Sequence, residues 1–159
     1  MLITQALAGD LDEIVALERG GFDHAVWSED SWLTEIEADD RHVLVCRDVT
    51  GAITGVATFQ TLAEVADLHR VVVRSDVRGQ GIARCLIQAG TEWAEGLGAE
   101  RLMLEVEYDN DAARRLYEFL GFAPLAKRKD YYGPGLHALV MHRELGSEPG
   151  WSDDERWSA

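Results

Sequence analysis

Residues 71–87, "VVVRSDVRGQGIARCLI", combine glycine, arginine and a change of apolar spacing in a way that suits anion binding. The apolar run predicts a strand, and the spacing that follows predicts a helix. Gly79 and Gly81 permit tight turns that leave backbone N–H groups uncovered, and the positive end of the helix adds to their field. Arg78 and Arg84 can add ionic hydrogen bonds. The loop predicts a pyrophosphate site, with an ordinary glycine turn before a helix as the alternative.

Glu105 lies in a second segment that could do chemistry, "LMLEVEY". Alternation along a strand puts Met103, Glu105 and Glu107 on one face. A strand that precedes a helix in a compact α/β domain normally has both faces covered, so we expect Glu105 to be partly buried and able to accept a proton. A polar residue on a solvent-exposed face is the alternative, and Glu107 is a weaker candidate.

Tyr117 belongs to a predicted helix that starts near Asn110. Ala113, Leu116 and Tyr117 share one helical face, which also fits a tyrosine in the core. A buried tyrosine nevertheless requires a partner for its hydroxyl. Asn110 could cap the helix, contact a ligand, or do both.

These segments together resemble the signatures of the GCN5-related N-acetyltransferases. The form Arg78-x-x-Gly81-x-Ala83 resembles the family motif Q/R-x-x-G-x-G/A, which holds the pyrophosphate of acetyl-CoA. The P-loop pattern G-x-x-x-x-G-K-S/T and the dinucleotide pattern G-x-G-x-x-G are both absent from the sequence. The run "LEVEYDNDAARRLYEFLGF" (104–122) is similar to the second family signature.

Two further segments resemble one bacterial branch of that family, the ribosomal-protein-alanine N-acetyltransferases. They are "VWSEDSW" (26–32) and "KRKDYYGPGLHALVM" (127–141). The resemblance covers residues 1–145, and it implies an N-acetyltransferase domain with these bounds.

The resemblance implies that acetyl-CoA is the acetyl donor. In the family, the strand corresponding to Asp67–Val73 splays from its neighbour, and the pantetheine arm pairs with it like an added strand. The residues implied to bind acetyl-CoA are Val71, Val72, Val73, Arg78, Gly79, Gln80, Gly81, Ile82, Ala83, Arg84, Asn110 and Tyr117.

Catalytic and acceptor roles follow from the same resemblance. Glu105 would take a proton from the amine, and Tyr117 would protonate the departing thiolate. The residues implied to contact the acceptor are Trp27, Glu107, Tyr131 and Tyr132. Trp32 could line the same wall or lie in the core.

The implied reaction is acetylation of a protein N-terminal α-amine. In the bacterial branch, that amine belongs to the N-terminal alanine of small ribosomal subunit protein 18. An α-amine has a pKa near 8, so modest help from one base suffices. A lysine side chain, a polyamine or another small amine is the alternative acceptor. A non-catalytic acetyl-CoA-binding module is a third possibility.

Apolar periodicity and turn signals predict the helices and strands that position these residues. The predicted elements form an α/β (α+β) domain: a mixed, mainly antiparallel sheet of about seven strands with about four helices on both faces, including one parallel βαβ unit. Asp10 is predicted to cap the first helix, and Ser28, or alternatively Ser31, the second. Residues 146–159 predict an acidic, disordered tail.

Composition sets outer limits on function. The 159 residues carry a net charge of -14, which disfavours direct nucleic acid binding and favours basic polypeptides, although solubility alone could explain it. No apolar run is long enough to span a bilayer, so no membrane association is expected, and the N-terminus does not read as a secretory signal. Cys46 and Cys85 belong to no CxxC pair, which suits a cytoplasmic protein. The histidines lack ligand-like spacing, so we expect no metal.

Overall fold

The structure, a computed structural model, describes residues 1–146. Its seven strands form one sheet in the order β1-β2-β3-β4-β5-β7-β6, and its four helices confirm the predicted architecture. In chain order the elements are β1 (Leu2–Gln5), α1 (Leu11–Gly21), α2 (Glu29–Glu37), β2 (Arg41–Arg47), β3 (Ile53–Leu62), β4 (Val65–Val73), α3 (Ile82–Gly96), β5 (Arg101–Glu107), α4 (Asp111–Phe119), β6 (Ala123–Gly133) and β7 (Leu136–Glu144).

Helices cover both faces of the sheet, and the strands are built to bury both. In β2, Val43 and Val45 join the core under α1 and α2. Leu44 and Cys46, which alternate with them, join the core under α3 and α4. This continuous apolar run is therefore a strand buried on two sides.

Helix α3 lies unusually close to the sheet at one point. A side chain added at Gly90 would overlap the ring of Phe59, which is itself fully buried. The missing side chain therefore allows α3 to approach β3. This close contact helps to set the position of α3, including its N-terminus, relative to the sheet.

The predicted caps have different outcomes. Ser28 Oγ accepts a hydrogen bond from Ser31 N at 3.1 Å, which confirms Ser28 as the cap of α2. Asp10 occupies the predicted N-cap position of α1, but its carboxylate makes no hydrogen bond to that helix. It instead accepts hydrogen bonds from Leu7 N at 2.9 Å and from the Arg47 guanidinium at 2.7 Å. The predicted acidic tail lies outside the described residues from position 147 onward.

Strands β4 and β5 pair along only part of their length. They run parallel and are joined by α3, as the βαβ prediction requires. Pairing covers Val65–Leu68 against Arg101–Leu104. β4 continues to Val73 and β5 continues to Glu107 without further pairing between them. The two strands therefore separate toward their carboxyl ends.

A β-bulge in β4 lies where this separation begins. Phe59 of β3 faces Leu68, whereas the preceding Thr58 faces Arg70, so His69 is the extra residue. A bulge bends the strand that carries it and increases the local twist. The bend accounts for β4 leaving β5 directly after Leu68.

Candidate active site

One cleft of about 1310 Å³ opens between the separated ends of β4 and β5. Nearly all the residues predicted from the sequence to act in binding or catalysis line it. They are Trp27, Val71, Val72, Val73, Arg78, Gly79, Gly81, Ile82, Ala83, Arg84, Glu105, Glu107, Asn110, Tyr117, Tyr131 and Tyr132. Gln80 is the exception: it is exposed and does not line the cleft.

The glycine loop forms a cationic end of the cleft. Gly79 and Gly81 adopt φ angles of 80° and 83°, in the left-handed region that glycine tolerates best. No other group lies within 4 Å of where a side chain would stand at either glycine, so the backbone is open to a ligand. Arg78 Nε donates to the carbonyl of Val73 at 3.2 Å. The loop thus combines uncovered amides, guanidinium groups and the start of α3.

Strand β4 supplies an extended backbone beside this loop. Val71 and Val73 pack against the core under α3, whereas Val72 is buried on the other face. All three pair with β3, but their opposite edge has no partner in β5. An extended ligand carrying amide groups can pair with such an edge in the manner of an added strand.

Tyr117 reaches the cleft from α4. Its side chain is almost fully buried, and its ring packs edge-on against Phe122. Burial first, and then neighbouring Tyr132, raise the pKa of Tyr117 to about 12. The hydroxyl therefore keeps its proton throughout the neutral and mildly alkaline range. Asn110 caps the same helix, its Oδ1 accepting from Ala113 N at 3.2 Å, and it also lines the cleft.

Glu105 lies on the face of β5 opposite Leu104 and Val106, which join the core under α3 and α4, and it is more accessible than the sequence suggested. The residue is exposed, and its side chain retains 30% of its accessibility. The expected cover is incomplete because the strands separate beside it. Arg128 Nη1 lies 3.2 Å from its carboxylate. The neighbouring Glu105 carboxylate raises the pKa of Tyr131.

Further carboxylates surround Glu105. Asp67 of β4 lines the cleft, and burial, reinforced by the charge of Glu105, raises the pKa of Asp67. A side-chain hydrogen bond joins the Glu107 carboxylate to the imidazole Nε2 of His24 in the α1–α2 segment. The cleft thus has a cationic end at the glycine loop and, around Glu105, an acidic region of three carboxylates, in which Glu105 contacts Arg128 and Glu107 contacts His24.

Aromatic side chains form walls around the acidic region. Trp27 is partly buried there, 5.0 Å between ring centroids from Trp32. Trp32 itself is fully buried and does not line the cleft, which settles its role as a core residue. Tyr131 and Tyr132 pack edge to face at 5.0 Å, and burial first, then the charge on nearby acidic groups, raises the pKa of Tyr132 to about 12.

Several residues that line the cleft received no assigned role from the sequence. Arg128 contacts Glu105 across the intervening strand β7. Ala138 of β7 pairs with Arg128 on one side and with Glu107 on the other, so Arg128 lies level with the end of β5 that carries Glu105. The hairpin register could have indicated this, but irregularities flank Arg128 in the β6–β7 pairing. His24 and Phe22 lie in a segment without regular structure, where the sequence offers no periodic signal.

Residues 1–146 contain no group of three or more His, Cys, Asp or Glu side chains arranged to hold a metal ion. Within the same range, no helix combines the length and the apolar character needed to cross a membrane.

Comparison with known proteins identifies the family. The model of the acetyltransferase (GNAT) family matches residues 11–122, which run from the start of α1 to just beyond α4. The chain belongs to the GNAT acetyltransferase family. The match includes the glycine loop, Glu105 and Tyr117, and members of this family use acetyl-CoA as co-substrate.

Similar GNAT proteins include N-terminal acetyltransferases of a ribosomal protein. A Bacillus subtilis (strain 168) protein with the provisional name ribosomal protein bS18-alanine N-acetyltransferase is 30% identical over 134 residues, which are 83% of this chain and 87% of that protein. The crystal structure of the ribosomal-protein-S18-alanine N-acetyltransferase from Escherichia coli superposes with a TM-score of 0.84 and 25% identity, covering 95% of this chain and 98% of that one.

The same fold also serves other acceptors. The crystal structure of nourseothricin acetyltransferase has a TM-score of 0.76 and 23% identity, covering 90% of this chain and 97% of that one. That likeness shows the GNAT fold alone, and it does not indicate which acceptor this chain uses. The family match and the relatives named above make the present chain a GNAT N-acetyltransferase.

Proposed function

We propose that this enzyme transfers an acetyl group from acetyl-CoA to the N-terminal α-amine of a protein, in the first instance the N-terminal alanine of small ribosomal subunit protein 18. The observation that carries the proposal is the polarity of the cleft. A cationic glycine loop stands at one end, and an accessible carboxylate region with aromatic walls stands at the other. The first suits the anionic donor, and the second suits a positively charged polypeptide terminus.

Acetyl-CoA would bind along the loop and the free edge of β4. The amides from Gly79 to Ala83, with Arg78 and Arg84, would take the pyrophosphate. The backbone of Val71–Val73 would pair with the pantetheine arm, and an amide of this strand could polarise the thioester oxygen. Asn110 would contact the arm while it continues to cap α4.

Glu105 would act as the general base, directly or through water. The neutral amine nitrogen attacks the thioester carbon, and the proton lost from nitrogen passes to the carboxylate. Because an α-amine has a pKa near 8, a substantial fraction is already neutral close to physiological pH. An accessible carboxylate therefore suffices, and the strongly perturbed base that a lysine acceptor would need is not required.

Tyr117 would act as the general acid. As the carbon–sulfur bond breaks, the sulfur gains negative charge, and a hydroxyl that keeps its proton can donate to it. The pKa of about 12 that burial imposes on Tyr117 maintains this donor state. Water would restore the proton after the products leave.

The acceptor assignment rests on charge and access. Asp67, Glu105 and Glu107 surround the place where the amine would enter, and the whole chain has a net charge of -14. Basic ribosomal proteins would be attracted to such a surface. The names of the similar proteins add the N-terminal alanine. Action in the cytoplasm remains part of this proposal.

The test is thiol release from acetyl-CoA with three acceptors: an alanine-initiated basic peptide, the same peptide with a blocked N-terminus, and spermidine. Release with only the free peptide supports the proposal. Release with the blocked peptide or spermidine would favour a lysine or small-amine enzyme. Tight acetyl-CoA binding without turnover on any amine would favour a non-catalytic module.

Replacing Glu105 with glutamine tests the base. We expect a loss of about 10²- to 10⁴-fold in kcat/KM near neutral pH, shrinking at high pH where the amine is already neutral. Glu118→Gln, an exposed change on α4 that lies outside the cleft, is the control and should retain activity. An equal loss at every pH would contradict the assignment.

A further inference from the structure

Arg70 links the strand proposed to bind acetyl-CoA with the helices and loop on the acceptor side. The bulge at His69 gives two consecutive residues of β4, His69 and Arg70, partners on α2 and α1 respectively. His69 Nδ1 lies 2.7 Å from Glu35, and Arg70 pairs with Glu18. The irregularity that separates β4 from β5 thus also turns Arg70 toward α1.

The Arg70–Glu18 ion pair is buried and bidentate. Arg70 Nε donates to Glu18 Oε1 at 3.0 Å, and Nη2 donates to Oε2 at 2.5 Å. The Glu18 side chain is fully buried, and that of Arg70 is only 13% exposed. Glu18 also accepts from the Trp32 indole at 3.2 Å and from Trp27 N at 3.0 Å. A buried carboxylate with four donors, two of them from Arg70, depends strongly on that guanidinium.

The same guanidinium holds residues 22–27, the segment between α1 and α2. Its Nη2 donates to the Ala25 carbonyl at 2.9 Å, and its carbon lies 3.7 Å from the Phe22 ring centroid and 5.1 Å from that of Trp27. Ala25 has a φ of 52°, a left-handed conformation that costs an alanine free energy. Contacts from outside the segment must therefore stabilise it, and Arg70 provides several.

We propose that Arg70 is a positioning residue that holds residues 22–27 as the acceptor-side wall of the cleft, and so favours polypeptide over small-amine acceptors. This consequence for specificity rests on the proposed function. Phe22, His24, Ala25 and Trp27 all line the cleft, and His24 pairs with Glu107 beside Glu105. Nε and Nη2 of Arg70 are already engaged with Glu18 and Ala25, so its role is to orient this wall.

A long peptide contacts this wall, whereas a small amine needs only the region around Glu105. Loosening residues 22–27 should therefore weaken peptide binding more than small-amine turnover. Binding of acetyl-CoA should change little, because its proposed contacts lie on the loop and on Val71–Val73. This contrast separates positioning from a general structural role.

The test compares Arg70→Lys with Arg74→Lys. Lysine keeps the charge but cannot make the bidentate contact. Arg74 follows β4, pairs with Asp76 and does not line the cleft, so it is the matched control. For Arg70→Lys we expect about a tenfold higher KM for an alanine-initiated peptide, with kcat, acetyl-CoA affinity and kcat/KM for alaninamide nearly unchanged. Amide hydrogen exchange of residues 22–27 should accelerate at least about tenfold.

Hydrogen exchange keeps the positioning claim independent of the acceptor. If the wild type acetylates no peptide, the proposed function fails, and the exchange rate of residues 22–27 still decides whether Arg70 holds them. Unchanged exchange there, or an equal loss of activity with peptide and alaninamide, would overturn the proposal. If Arg70→Lys does not fold, Glu18→Gln weakens the same ion pair while keeping the side-chain volume, and the same outcomes apply.

Discussion

Replacing Gly81 with alanine tests whether the loop before α3 binds the pyrophosphate of acetyl-CoA. Gly81 is the residue directly before the helix, and its φ of 83° and ψ of 12° lie in the left-handed region. A methyl group there meets no other atom within 4 Å. The substitution therefore perturbs only the backbone conformation and the ligand's space.

The expected loss of stability and the expected loss of acetyl-CoA affinity follow from the strain in the backbone and from the way the backbone relieves it. An alanine held in the left-handed region costs about 1–2 kcal/mol, which would appear as lost stability. If the backbone instead rotates to relieve this strain, an amide turns away from the phosphates. Losing one hydrogen bond to a charged group costs about 1.5–3 kcal/mol, so the Kd for acetyl-CoA should rise roughly 10- to 150-fold.

The assay is calorimetric titration of acetyl-CoA into Gly81→Ala and Gly98→Ala, with thermal unfolding of both. Gly98 lies at the opposite end of the same helix, has a φ of 89°, and likewise has open space around it. It does not line the cleft. Both variants should lose similar stability, but only Gly81→Ala should lose affinity.

Binding of acetyl-CoA by Gly81→Ala within about twofold of the wild type, with both variants destabilised alike, would refute pyrophosphate binding by this loop. An equal loss of affinity in the two variants would refute it as well, since the effect would then come from α3 as a whole. In either case the donor phosphates would bind elsewhere in the cleft.

Three further predictions concern single side chains. Tyr117→Phe should slow single-turnover acetyl transfer about 10²- to 10⁴-fold with unchanged acetyl-CoA affinity, because a hydroxyl with a pKa of about 12 stays protonated; unfolding or an unchanged rate would contradict its role as acid. Gly90→Ala should destabilise the protein by about 1–3 kcal/mol through overlap with Phe59, whereas Gly96→Ala, in the same helix with open space, should stabilise it by about 0.5–1 kcal/mol; equal shifts in chemical denaturation would contradict the close packing. Burial raises the pKa of Asp67, so the folded state holds its proton more tightly and loses stability as the pH rises from the unfolded pKa of about 3.9 through the higher folded pKa; Asp67→Asn should raise the Tm at neutral pH but not near pH 3, and a lower Tm at neutral pH would refute this.

The sequence by itself determined features that depend on neighbouring residues. The left-handed glycines at 79 and 81, the Ser28 cap and the Asn110 cap all arise within a few residues of chain. The two-sided burial of β2 follows from its continuous apolar run. Local steric and hydrogen-bonding preferences act over such distances whatever the rest of the fold does.

Tertiary structure alone decided the surroundings of the predicted site residues. Glu105 is more accessible than its strand pattern indicated because β5 separates from β4, and its partner Arg128 reaches it across β7. Arg70 and Glu18 are 52 positions apart, and their contact depends on the bulge at His69. Register, bulges and helix placement set such pairs, because they determine which distant side chains share one face. The residue spacing within a single segment does not indicate the register, the bulges or the helix placement.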